Sequence, residues 1–386
     1  MAEDRPHGTP GVTIGLRAAA AAALLAVAPA TGAAPAQGPL EVRTPGTLRD
    51  LFLDMVLWDA REVSAPRLQV AWALANDWSA PTLLTRGIDT AFLQLDEQAD
   101  SLTAQVRIPW GAVAGAPEGS FLRRLSSALE VRGTVHWGGW TDAIIEGWHR
   151  ALNYNRFDRD QFPRNEVHVT IANPNQPGPV RLSGTTVAFG DLVLRNQLLL
   201  WQGAEPLVEG APARAGVSLR LDVKAPTGSL ARMGGSGGWD LGLGLAGTWQ
   251  ATSWLVGHAM VSGSLWTGNL GGLAMAPRRW HASLELSLVF LVGEVALFLQ
   301  DRWATPVFES GWEWVDVSQG WVLQSTAWPA AQRAQNQITL GVRWGPLSFW
   351  LMEDFTLGYM PKQGAQWFYN TNAPDLALGL TFAWPL

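Results

Sequence analysis

The chain has no cysteine, so no disulfide contributes to its stability. Charged residues are scarce, 16% of 386 residues against roughly 25% in an ordinary soluble domain. A basic excess is also missing: the formal charge is -6, which excludes the positive stripe that a nucleic-acid partner requires. Beyond the N-terminus there is no apolar run of the ~20 residues a transmembrane helix needs. Tyrosine is rare, three residues, whereas tryptophan is abundant, 22 residues.

The first apolar stretch reads as a signal peptide. Arg17 precedes AAAAAALLAVA, and Ala34-Pro35-Ala36 supplies a small-residue cleavage pattern. Residues 1–36 are therefore expected to be removed on export, leaving residues 37–66 as an N-terminal periplasmic or plug segment and residues 67–386 as the folded body.

From residue 67 onward the sequence alternates with period two, the signature of strands with one apolar face. Val217, Leu219, Leu221 and Val223 alternate with Ser218, Arg220, Asp222 and Lys224; Leu284, Leu286 and Leu288 alternate with Glu285 and Ser287. Trp110, Trp137, Trp201, Trp239, Trp249, Trp254, Trp266, Trp280, Trp303, Trp344 and Trp384 stand at the segment ends, where outer-membrane barrels carry aromatic girdles. The pattern predicts an all-β fold, a transmembrane antiparallel β-barrel of about twelve strands (range 10–14), since spanning strands must close on themselves to satisfy every backbone group. Short turns at Gln250–Ser253, Leu291–Gly293 and Gly345-Pro346 mark the periplasmic end. Parity then places WVLQST (321–326) in an outer loop, turns the pieces near 88–97 and 165–173 into extracellular hairpin arms, and puts one strand at 187–201.

The same parity puts residues 138–186 outside. Within them Ile144, Ile145, Trp148 and Leu152 recur at helical spacing, with Asp142, Glu146, His149 and Arg150 on other faces and Glu146 four residues before Arg150, the spacing of an ion pair. This predicts a short extracellular-loop helix folding over the mouth, with Asp142, Glu146, Trp148, His149 and Arg150 as constriction candidates. Glu146-x-x-His149 is half of a metal motif without a second copy, and no nucleophile motif accompanies His149, so neither a metal, a cofactor nor catalysis is expected. Alternation points Glu130, Arg132, His136, Arg220, Asp222, Lys224, His281, Glu285, Arg302 and Arg343 to the lumen, where they line a water-filled path or neutralise one another in a plugged interior. Gly242, Gly244 and Ala246 leave room beside them, which favours a cavity. GGSGG (234–238) reads as a flexible outer turn, and Asp191 and Asp240 as caps for loop amides.

The ordered pieces GGWTDAIIEGWHRAL, PRNE (163–166), FGDL (189–192), KAPTG (224–228), GSGGWD (235–240), EDF and APDLAL (373–378) resemble the uncharacterised Gram-negative outer-membrane proteins of domain-of-unknown-function family 3187, over residues 47–386. GDL, and PTG followed by GSG and a later Asp, are also similar, more loosely, to motifs of outer-membrane barrels linked to phenol and hydrocarbon degradation pathways. The resemblance implies an uptake role. The chain departs from the pattern in the expanded AVAGAPEGSFLRRLSS connection and in its Trp-Pro-Leu ending. The expectation is thus a porin-like channel or passive small-molecule transporter in the Gram-negative outer membrane, with lipid, the barrel assembly machinery and a small solute as partners. A closed structural or surface-interaction barrel is the alternative, and an enzyme comes third. Oligomeric state is not encoded in any pattern found.

Overall fold

The computed structural model describes residues 38–43, 45–86, 89–151, 163–172, 180–203, 213–268, 277–308, 312–316, 321–325, 334–354 and 376–386. The expected signal peptide lies outside these. The strands are β1 (Arg67–Arg86), β2 (Asp89–Pro109), β3 (Leu125–Trp137), β4 (Val169–Ala172), β5 (Val180–Leu182), β6 (Thr186–Phe189), β7 (Leu192–Gly203), β8 (Ala215–Ala225) and β9 (Asp240–Gln250). They continue with β10 (Leu255–Trp266), β11 (Trp280–Val292), β12 (Val295–Ala304), β13 (Trp312–Asp316), β14 (Trp321–Ser325), β15 (Gln335–Trp344), β16 (Leu347–Asp354) and β17 (Leu376–Pro385).

Twelve of them form a closed antiparallel barrel in the order β1-β2-β3-β7-β8-β9-β10-β11-β12-β15-β16-β17, sealed by β17 against β1 from Arg67↔Pro385 to Asn76↔Leu376. Closure leaves no unpaired edge inside the membrane. The tight turns at Ala251–Trp254, Gly293–Glu294 and Gly345–Pro346 share one end with the chain terminus. Positive φ at Gly293 and Gly345 lets two of these turns be so short. At the opposite end the expected excursions are present. The outer halves of β1 and β2 run on past the barrel, where β2 pairs with β4, and β13 pairs with β14 as a separate hairpin containing Trp321–Ser325. The expected strand at 187–201 is two pieces: β6 and β7 both pair with β3, interrupted at Gly190-Asp191, whose carboxylate has another task. The expanded connection after β2 contains a helical turn (Trp110–Val113) and a 3-10 turn (Phe121–Arg124).

The outer wall carries a continuous apolar band, with Leu129, Val131, Leu194, Leu221, Leu243, Val261, Leu286, Leu299 and Leu340 exposed. Exposed Trp110, Trp201, Trp249, Trp254, Trp344 and Trp384 ring the short-turn end, and Trp140, Trp239, Trp280 and Trp303 ring the loop end. This is the exterior of an outer-membrane barrel. One of the expected girdle residues is absent from it. Trp266 points inward, buried, stacked between Phe52 at 4.5 Å and His281 at 4.8 Å. Trp137 is half-buried and donates its indole N–H to Asp100 at 2.9 Å.

Inside the barrel lies the segment preceding β1. Residues 38–66 enter at the short-turn end, where Arg343 donates to the carbonyls of Gly38 and Pro39. They climb to a 3-10 turn at Arg49–Leu51 near the loop end and return past Ala60, whose N–H reaches Thr248, to Glu62, whose N–H reaches Gln202. The segment is a two-armed strap filling the lumen. The small residues of the wall make its seat: a side chain on Gly242 would meet Met55 Sδ at 2.6 Å and Leu53 at 3.0 Å. The room expected beside Gly242, Gly244 and Ala246 is therefore occupied, with Ala246 packed into one cluster with Met55, Leu57 and Ala60. At Gly216 a Cβ would stand 3.0 Å from the Ala60 carbonyl oxygen, in the strap's backbone. Gly216→Val should accordingly push the returning arm off its seat at a cost of about 1–3 kcal/mol. The expected outcome is limited proteolysis within 38–66 at a dose that spares the wild type, with the barrel still resisting unfolding in detergent; unchanged protection would show that the strap does not lie against Gly216.

Candidate functional site in the lumen

Alternation sends the charged set inward because its apolar neighbours must face lipid, and each member finds a partner on the strap or on an adjacent strand. Arg302 is bidentate to Asp54, with one bond of 2.7 Å, and its Nε lies 3.6 Å from Glu285. Glu285 accepts the Leu57 N–H at 3.1 Å. Arg195 binds Glu130 at 2.8 Å, Asp222 at 2.7 Å and the Asp54 carbonyl at 2.9 Å. Arg220 donates to Asp222 and to the Val56 carbonyl, both at 3.1 Å. Arg132 binds Asp50, and Arg43 bridges Glu130 and Asp50 at 3.3 Å each. Trp58 is held between the guanidinium groups of Arg107 and Arg220, at 3.8 and 3.7 Å from its ring.

At the loop end the strap tip is sealed twice. Thr47 gives its N–H to Asp77 and its hydroxyl to Glu97, and Glu97 holds His136 Nδ1 at 2.9 Å. Arg49 meets His281 Nε2 at 2.7 Å. Above them Leu48, Leu51, Phe52 and Leu53 join Leu95, Val169, Ile171, Val180, Leu182, Met233, Trp266, Val307 and Phe308 in an apolar cap. This cap closes the mouth with the strap tip and the β4–β5 arm.

The Asp142–Ala151 helix has a different position from the one expected. Its first turn is tied to Asn76 and Gln98: Asn76 donates to Thr141 and Asp142 at 2.9 Å, and Thr141 to Gln98 at 3.1 Å. Asn76 and Gln98 belong to the outward sets of β1 and β2, in step with Trp72 and with Leu102 and Val106, whereas Asp77 and Glu97 face the strap. The turn thus docks on the outer face of the wall, with Trp140 and Ile144 exposed. Glu146 pairs with Arg164 and not with Arg150, which is exposed; Asp142 accepts the Asn165 N–H at 2.8 Å. Two motifs, GGWTDAIIEG and PRNE, clasp each other, and a constriction by Asp142, Glu146 and Arg150 is replaced by the strap and cap. The side chains of Trp148 and His149 lie outside the described residues, and among the described residues no acidic-histidine group forms a metal site.

Three further motifs converge on Lys224. Its Nζ reaches Asp191 at 2.5 Å, Ser236 at 3.0 Å, the Gly238 carbonyl at 3.1 Å and Asp240 at 3.3 Å. Asp191 also accepts the Gly228 N–H at 2.7 Å, and Asp240 the N–H groups of Leu53 and Thr267. FGDL, KAPTG and GSGGWD therefore form one buried knot. GGSGG is a packed turn, with Ser236 buried and its N–H on the Leu51 carbonyl at 3.0 Å.

Sequence reasoning missed Asp54, Asp50, Arg43 and Trp58 of the strap, and Arg195 of the wall. LFLDMVLWDA (51–60) carries the signal: apolar residues on both faces, as in a segment buried all round. Burial would raise the Asp54 pKa, but Arg302, with Arg49 and Arg43 behind it, holds the carboxyl well below the usual range. Its contribution is complete above the unfolded value of about 3.9 and is lost as pH falls through the lower folded value. The Asp54 share of strap docking should therefore be flat from pH 5 to 8 and be lost only in stronger acid, read as the difference in protease protection of 38–66 between the wild type and Asp54→Asn. Asp54→Asn, which removes the bidentate partner of Arg302 and leaves it the more distant Glu285, should weaken docking by up to about 3–5 kcal/mol at neutral pH and flatten the acid limb. An unchanged acid limb would assign the dependence to other carboxylates.

Among solved structures, the COG4313 outer membrane channel from Pseudomonas putida F1 aligns at 12% identity over 84% of this chain and 97% of its own, with a TM-score of 0.44. The NanC porin aligns at 7% over 82% and 97%, with 0.37. A Pseudomonas aeruginosa FadL homologue aligns at 8% over 88% and 91%, with 0.31. No curated protein matches the chain in sequence. The family described as "Protein of unknown function (DUF3187)" matches residues 17–326, starting earlier and ending sooner than the motif span, and the chain belongs to that family.

Proposed function

We propose that this protein is a channel of the Gram-negative outer membrane that passes small solutes through a bore narrowed by its own N-terminal strap. One observation carries the reading: the inner wall is polar or charged along most of its height, yet what fills it is a separate piece of chain. A twelve-stranded ring is wider than its own side chains can fill, and filling it with a segment that is not part of the wall keeps a path along the wall recoverable. Here, removing residues 38–66 would leave a water-filled corridor lined by Glu130, Arg195, Arg220, Asp222, Glu285 and Arg302. Transport would be passive, the wall and strap offering partners that replace water around a solute. The apolar belt and the Trp rings support an outer-membrane location and lipid as the surrounding medium. Strand β17, which closes the ring against β1, would be the segment presented to the assembly machinery.

The reading competes with a closed barrel that acts through its outer loops, a view favoured by the apolar cap over the mouth. Catalysis finds no support in Asp142 or Glu146, both committed to loop anchoring. The test is single-channel recording in planar bilayers, comparing the exported chain with one lacking residues 38–65, each checked for a folded barrel by heat-modifiable migration. The deletion should conduct in steps several-fold larger than the full chain. Silence from both folded proteins would establish the closed barrel instead.

A further inference from the structure

We propose that small uncharged solutes cross the barrel beside the docked strap, along the inner wall made by β17, β1 and β2; this rests on the channel reading above. The strap is not held evenly around its circumference. The returning arm, Leu53 to Ala60, takes its polar partners from the opposite wall: Asp240 and Thr248 on β9, Arg195 and Gln197 on β7, Arg220 on β8, Glu285 on β11 and Arg302 on β12. The β1–β2 wall grips the strap near its two ends. Arg67 pairs with Glu41 and Arg107 covers Trp58 at the bottom, while Asp77 and Glu97 hold Thr47 at the top.

Between those grips three successive inward rungs, Gln69↔Gln105, Ala71↔Thr103 and Ala73↔Ser101, carry short or neutral side chains. Four residues of strand separate the first rung from the last, about 13 Å at the usual rise per residue. A cavity of about 40 Å³ lies along these rungs, against Glu41, Val42 and Arg43 of the ascending arm. That is room for more than one water, since a water needs roughly 10–15 Å³ by the same measure. Gln105 Oε1 and Glu41 Oε2 are buried there without a hydrogen-bond partner among the described residues. Thr381 of β17 adds a hydroxyl, while the Trp350 ring and Val56 give the cavity an apolar side.

The chemistry selects the solute class. A neutral molecule with a hydroxyl or amide N–H can satisfy Gln105 and the wall hydroxyls while laying its carbon skeleton on Trp350. An ion would compete with Arg43, Glu130 and Arg132, which already neutralise one another and Asp50 at the upper end of the cavity. The groove is closed to anything larger than water at rest, so passage needs side-chain shifts along this wall and at the edge of the cap above it, with the strap still docked.

The absence of cysteine makes the test clean. Ser101→Cys or, as a second variant, Thr103→Cys places one thiol in the groove. Ser218→Cys places one on the opposite wall, where Ser218 is fully buried. The full-length variants are reconstituted in liposomes, and glycerol entry is followed by swelling before and after treatment with a small uncharged methanethiosulfonate reagent. The expected result is at least a twofold slowing for Ser101→Cys and Thr103→Cys, no change for Ser218→Cys, and slower entry of gluconate than of glycerol throughout. Slowing at Ser218→Cys alone, or equally at both sites, would overturn the inference by showing that the strap leaves its seat. Gluconate entering as fast as glycerol would overturn the solute class. A full-length chain closed to glycerol beside a strapless chain that admits it would also overturn the route, while leaving the channel reading intact; exclusion by both would end the channel reading itself.

Discussion

A closed barrel of twelve strands encloses more space than its own side chains fill, and here the inward faces of β3 to β15 are too polar to collapse onto one another. The structure depends on resolving that constraint with a strap whose charges complement those of the wall. Asp54 fits between Arg302 and Arg195, Arg43 between Glu130 and Asp50, and Trp58 between Arg107 and Arg220. At three places the wall offers no side chain at all: Gly216, Gly242 and Gly341 let the strap's backbone and its Met55 and Leu40 side chains approach directly. The positions that read as empty space in a barrel considered alone are the positions the strap uses.

The family motifs acquire a common meaning in this frame. Those placed among the described residues act as fasteners. FGDL, KAPTG and GSGGWD meet at Lys224, whose cationic head gathers Asp191 and Asp240 and so ties two loops to the barrel rim. The knot also touches the strap, through Asp240 on Leu53 and Ser236 on Leu51. GGWTD and PRNE do the same on the outer side, joining Asp142 to Asn76 and Asn165. Residues that look like scattered acids, bases and glycines are the fasteners of long loops on a rim where no continuous ladder is available.

How much of this could be read from the chain follows from the range of each interaction. Strand identity, number and orientation were legible because period-two alternation and turn chemistry are local, and because lipid imposes the same rule on every strand. The inward direction of Glu130, Arg220, Asp222, Glu285 and Arg302 followed from the same parity. Their partners did not, since Arg302 and Asp54 are 248 residues apart and nothing local couples them. The Asp142–Ala151 helix was legible as a helix but misplaced, because amphipathicity reports that one face is covered and not by what. Its place was decided by Asn76, a polar residue on the lipid-facing parity of β1, an exception that marks a docking point. Trp266 was misread for a related reason: an aromatic at a strand end is a girdle residue only if its parity is outward, and its neighbour Leu265 is the exposed one.

The two kinds of contact that hold the strap do not contribute alike. A buried ion pair gives up hydration that both partners would recover in a water-filled lumen, so its net contribution to docking is near zero, though removing one partner is costly. The apolar cap differs: Leu51, Phe52 and Leu53 are at most 1% exposed, and full burial of such side chains contributes about 1.5–3 kcal/mol each. The charges therefore fix where the strap lies and in what register, while the cap decides whether it stays. A strap pinned at its tip by apolar contacts and aligned below by ion pairs can remain docked while the uncharged wall beside it yields. That division of labour places any passage on the side of the lumen where the wall carries no charge between its two grips.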